Sequence, residues 1–195
     1  MMSRRTLILG LGNDILTDDA VGLRIASELS GDPMIRQAGA EVLCSTEMGL
    51  ALLDLIDGQD ELFILDSIQT TEAAPGFIHI LHGGELAKLP GVSPHFLGIG
   101  EMLALGRELH LHLPEKVTIY AIEVADPFTV GNCLSPVLEA RLPSLVNEIR
   151  GHILASVGRK RPSQELPSGC EAGVKHSGAS TASDTQPETL FRAEA

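Results

Sequence analysis

Residues 6–24 read TLILGLGNDILTDDAVGLR. The apolar run Leu7-Ile8-Leu9 has the make-up of a buried strand, and Gly10-Leu11-Gly12-Asn13 ends it in a turn. A second apolar pattern, Val21, Leu23 and Ile25, then leads toward Leu29. Strand, glycine turn and helix open a βαβ unit, so the stretch predicts an α/β fold. Asp18 and Asp19 fall at the predicted helix start, where negative charge is favoured and an Asp can cap free amides. A cap accounts for one acid and leaves the other without a structural task. In an open α/β sheet this turn faces the ligand crevice at the carboxyl ends of the strands. A dinucleotide fingerprint would need glycine at position 15, where Ile15 stands, and two carboxylates would repel a pyrophosphate. The turn suits a cation or a proton.

The same alternation continues along the chain. Residues 40–44 read as a second strand and residues 48–56 as a short helix that Gly58 stops. The run Leu62-Phe63-Ile64-Leu65 predicts a central strand covered on both faces, and it ends in Asp66-Ser67. A turn at Ala74-Pro75-Gly76 precedes a strand at residues 77–81. His79 and His82 would face opposite sides of it, which speaks against a shared metal. His95 follows Ser93-Pro94 at the predicted start of a helix over residues 97–109. His110 and His112 read as surface residues. Residues 116–124 form another strand, and residues 134–157 a last helix that Pro143 should kink or divide. The expectation is a three-layer αβα sandwich around a mostly parallel sheet of about five strands.

Composition narrows the function. The chain has 195 residues, 44% hydrophobic and 3% aromatic, so one domain with an aliphatic core is expected. Residues 1–158 would form it. Residues 159–195 are rich in Ser, Thr, Gly, Ala and Pro and read as a disordered tail. That tail balances five basic against five acidic residues, so the body carries the whole net charge of −12. Such a body argues against nucleic acid and suits a basic peptide or a cation. No apolar run reaches the roughly 18 residues of a membrane span, and no signal peptide is read. The three cysteines, Cys44, Cys133 and Cys170, have no paired spacing, which points to free thiols in the cytoplasm.

One acid of the Asp18-Asp19 pair, Asp66 and His95 each sit where a strand ends or a helix begins. Doubly wound topology can bring all three to one end of the sheet. Two carboxylates and an imidazole suit a borderline divalent metal such as nickel, zinc or manganese. There is no H-E-x-x-H, G-x-S-x-G or P-loop motif. Cys44 is open to two readings, a nucleophile or a buried structural thiol, the second being the commoner case.

Taken in order, Gly10-x-Gly12-Asn13, Asp18-Asp19 with Gly22, the strand closed by Asp66, and Ser93-Pro94-His95 with Leu97-Gly98 resemble the hydrogenase maturation endopeptidases. The resemblance runs from about Leu7 to Ile153. It implies a single αβα domain that trims the C-terminus of the large-subunit precursor of a [NiFe] hydrogenase after nickel insertion. It also implies Asp19, Asp66 and His95 as the metal-contacting residues, Asp19 and Asp66 as the catalytic acids, and Asp18 as the helix cap. The nickel would come with the precursor, and the protein would act as a cytoplasmic monomer. One departure stands out: Cys44-Ser45-Thr46-Glu47 occupies the place of the family's frequent Asp-Gly-Gly-Thr. Two other readings are kept. A non-catalytic nickel-sensing or chaperone module could use the same triad. The opening Gly-Leu-Gly-Asn is also similar to peptidyl-tRNA hydrolases, but Asp14-Ile15 replaces their Pro-Gly and the acidic body opposes tRNA.

Overall fold

The computed structural model describes residues 4–82 and 99–158. His95, Cys170 and the expected disordered tail lie outside them. Among the described residues five strands form one sheet: β1 (Thr6–Leu11), β2 (Ala40–Ser45), β3 (Glu61–Ile68), β4 (Ile78–His82) and β5 (Lys116–Glu123). Their order is β2-β1-β3-β5-β4, with β4 antiparallel to β5 and every other pair parallel. The helices are α1 (Val21–Ser30), α2 (Pro33–Gln37), α3 (Leu53–Ile56), α4 (Ile99–Glu108) and α5 (Pro136–Val157). Single 3-10 turns, Asp18–Ala20 and Gly49–Leu52, lead into α1 and α3.

The period-two alternation of the strands divides the core in two. Ile8, Phe63, Leu65, Tyr120 and Ile122 pack with residues of α1, α2 and α5. Leu7, Leu9, Leu62, Ile64 and Ile119 pack with residues of α3 and α4. Helices therefore cover both faces, which makes the expected three-layer sandwich, and β3 lies at its centre. The apolar face of α5 explains why Pro143 does not divide it: Leu138, Leu142, Leu145, Ile149 and Ile153 are all buried along one unbroken helix. α2 was not read from the sequence. It is a five-residue helix with Pro33 in its first turn and Asp32 as its N-cap, accepting from the amides of Met34 and Ile35.

From β1 the chain turns to β2 on one side through α1, then returns to β3 on the other side through α3. The strand order reverses between β1 and β3. That switch point, at the carboxyl ends of the two strands, is where open α/β sheets form their crevice. Glycines bring α1 tight against it. A Cβ on Gly22 would collide with the carbonyl oxygens of Leu11 and Leu65, and one on Gly12, whose φ is +147°, with the carbonyl of Asp19. The Gly-x-Gly turn thus serves helix-to-strand contact.

Candidate active site at the switch point

Asp19 and Asp66 meet at this crevice, and both are buried. Asp19 lies in the 3-10 turn before α1 and Asp66 near the end of β3. The strand alternation aims Ser67 to the α1 face, with Phe63 and Leu65. Its hydroxyl donates to Asp19 Oδ1 at 2.5 Å, while its amide donates to Asp66 Oδ1 at 2.8 Å. The amide of Asn13 donates to Asp19 Oδ2 at 3.0 Å. Ser67 thus holds both acids, and sequence reasoning passed over it. The available signal was its place beside Asp66 at the end of a buried strand.

Asp18 corrects the capping expectation. The N-cap position is Thr17, which makes no side-chain cap bond. The Asp18 carboxylate is buried and accepts instead from two distant amides, Ser135 at 2.7 Å and Asp126 at 3.0 Å. These belong to the segment between β5 and α5. The same segment pairs with the loop after β1 through a Leu16–Val130 bridge, Thr17 N to Thr129 O at 2.9 Å, and Gly131 N to Ile15 O at 3.1 Å. Asp18 is a clamp that fixes one wall of the crevice.

A cleft of about 390 Å³ opens beside Asp19, lined by Asn13, Asp14, Ile15, Leu16, Thr46 and Met48. Thr46 belongs to the departing Cys44-Ser45-Thr46-Glu47 segment, whose place is therefore the mouth of the site. Cys44 is exposed, not buried as expected. Its thiol lies 3.6 Å from the Leu23 carbonyl oxygen, and desolvation raises its pKa above the ordinary value. A thiol shifted in that direction is a poor nucleophile at neutral pH.

His79 and His82 go separate ways, as expected. His79 Nε2 lies 3.0 Å from Glu123 Oε2, and His82 Nδ1 lies 3.5 Å from Thr118 Oγ1. Glu123 is a further buried acid at the carboxyl end of the sheet, passed over in the sequence because Val124 carries the apolar run beyond it. It accepts from the Thr70 amide and hydroxyl at 2.8 and 2.7 Å and from the Thr71 amide at 3.0 Å. Burial pushes its pKa up, and the bonds from Thr70, His79 and Thr71 outweigh that, so it lies below the usual value. His112 is exposed and pairs with Asp60 at 3.0 Å.

Among the described residues no three His, Cys, Asp or Glu side chains converge as a metal-ion ligand set. What the site presents is a buried Asp19 carboxylate that lines an open cleft and a buried Asp66 carboxylate near the end of β3, both bonded to Ser67.

The sequence model of the family described as hydrogenase maturation protease matches residues 37–152. This chain belongs to the hydrogenase maturation protease family. It is 33% identical over 149 residues to the Escherichia coli (strain K12) hydrogenase 2 maturation protease, covering 74% of this chain and 88% of that protein. The solved E. coli hydrogenase maturating endopeptidase HybD aligns with a TM-score of 0.65 at 29% identity, over 78% of this chain and 93% of that one. The [NiFe] hydrogenase maturation protease HybD of Thermococcus kodakarensis aligns with a TM-score of 0.57 at 26% identity, over 77% and 99%. The fold expected from the opening strand, turn and helix is the fold of this family.

Proposed function

We propose that this maturation protease removes a C-terminal peptide from the large-subunit precursor of a [NiFe] hydrogenase once nickel is in place. The observation that carries the reading is the pair of buried carboxylates, Asp19 and Asp66, held by Ser67 at the switch-point crevice beside an open cleft. A buried carboxylate is costly to keep ionised unless hydrogen bonds, a proton or a cation answer it. The nickel is part of the substrate. Asp19, Asp66 and His95 would hold it, and when bound it supplies Lewis acidity at the scissile carbonyl.

The chain's own residues orient and exclude. Ser67 and the Asn13 amide fix the Asp19 carboxylate, so it meets the cargo without reorganising. The cleft positions the peptide, and fixed geometry lowers the barrier by orientation. On this reading water is the attacking group, and the desolvation that raises the Cys44 thiol does not favour that residue in its place. A carboxylate of the pair takes the proton from that water and returns it to the amine nitrogen as the C–N bond breaks. On this reading the protein works as a monomer in the cytoplasm, and a recessed acidic pair admits only finished precursor.

The test is incubation of the purified protein with nickel-loaded and nickel-free precursor, followed by mass spectrometry. Cleavage of the loaded form alone is expected, with activity lost in Asp66→Asn and Asp19→Asn. Full trimming by a folded Asp66→Asn protein would overturn the assignment.

A further inference from the structure

Among the described residues β2 has a partner on one side only. It pairs with β1 in six consecutive registers, Thr6↔Ala40 to Leu11↔Ser45, and no described strand lies along its outer edge. Successive residues of a parallel strand direct their N–H and C=O groups to opposite neighbours, so every second residue of β2 offers both groups outward. Exposed edges are commonly blunted by Lys, Pro or a bulge. The sequence Ala-Glu-Val-Leu-Cys-Ser has no Pro, its one charged residue is Glu41, and its unbroken register leaves no bulge.

The side chains of this edge are unfinished as well. Val42 packs on one core face and Leu43 on the other, each only partly buried, while their β1 partners Ile8 and Leu9 are fully buried. The strand also delivers the chain to the site. Ser45 ends it, and Thr46 and Met48 line the cleft next to Asp19.

We propose that β2 receives the segment of the precursor adjacent to its scissile bond as an added strand. The proposal rests on the proteolytic reading above. The occupant is an extended stretch of polypeptide whose alternate apolar side chains cover Val42 and Leu43. Its net charge is positive, complementing exposed Glu41 and the −12 of the chain. Backbone pairing supplies affinity without demanding a particular sequence. It also fixes register, so one peptide bond arrives at the cleft beside Asp19. A segment folded as a helix could not pair, so the protease selects an extended cleavage region.

The test uses two neighbouring substitutions, Val42→Pro and Leu43→Pro. One of these amides faces β1 and the other faces outward, and proline is tolerated only where the lost N–H faces out. The variant that folds should cleave nickel-loaded precursor with KM raised about 10-fold and kcat within about twofold of wild type. A folded variant with wild-type KM overturns the proposal. Hydrogen exchange decides independently of variant folding. In a complex of the wild-type protein with loaded precursor whose scissile bond is blocked by substitution, verified by size-exclusion chromatography, alternate amides of β2 should slow and those of β4, the opposite edge, should not. Unchanged exchange along β2, or protection on β4 instead, overturns it. A wild-type protein that leaves loaded precursor uncut removes the proteolytic reading and this proposal together. One that cuts normally while β2 proves indifferent removes this proposal alone.

Discussion

Two adjacent aspartates, one residue apart, carry different duties because their carboxylates leave the turn in different directions. Asp18 binds the amides of Asp126 and Ser135 with its two oxygens. Asparagine offers one oxygen and an NH2 group, so Asp18→Asn leaves one buried amide unpaired at a cost of about 1–3 kcal/mol. The expected result is a lowered unfolding midpoint with kcat retained by the folded protein. Asp66→Asn should do the reverse, sparing stability and abolishing trimming. Measuring both properties for both variants separates clamp from site; an Asp18→Asn protein as stable as wild type would refute the clamp. Glu123 gives a pH signature. Its folded pKa lies below the ordinary 4.5, so its contribution is present above that value and is lost as pH falls through the depressed pKa. Urea midpoints at neutral pH should favour the wild type over Glu123→Gln, and the gap should narrow on acidification to about pH 3. A gap that is constant with pH would show that the bonds to Thr70, Thr71 and His79 do not depend on its charge.

At the scale of elements, the turn after β1 was legible as a turn, and its chemistry was legible only in part. Spacing excluded a phosphate fingerprint and brought forward the Asp18-Asp19 pair, and the choice of Asp19 within it came from the family resemblance. Spacing could not reveal that Asp18 reaches partners 108 and 117 residues away, because no local pattern encodes a tether to another loop. The same holds for Ser67, whose role depends on which face of β3 meets α1. β1, β3 and β5 were readable because burial on both faces leaves continuous apolar runs. α2 was not, since five residues carry no helical period. Gly22 tests the glycine argument. Its Cβ would strike backbone carbonyls of β1 and β3, which cannot rotate away as a side chain could. Gly22→Ala should cost about 3 kcal/mol, at the upper end for overpacking, and should impair trimming by lifting the Asp19 turn from the crevice. A thermal midpoint unchanged from wild type would mean that α1 does not sit so close.

For the whole molecule, the site is a product of topology. Asp19 and Asp66 are 47 positions apart and form no motif, yet the reversal of strand order between β1 and β3 sets them at one crevice. That convergence was legible once the alternation of strand and helix predicted a doubly wound sheet. The position of His95 lies outside the described residues. Among the described residues the two core faces are built between Leu7 and Val157, and α5 ends at Val157, capped by Gly158, after burying Ile153. No helix of the described residues is long and apolar enough to cross a membrane. A chain ended after Gly158 should therefore fold by itself and trim precursor at the full rate, with its thermal midpoint within about 2 °C of the intact protein. The net charge of the shortened chain is unchanged, because residues 159–195 hold equal numbers of acids and bases. Electrostatic attraction of a basic peptide should then be preserved too, and KM should rise with salt equally in both forms. A lower midpoint, or a KM raised in the short form alone, would assign residues 159–195 a part in stability or in holding the precursor.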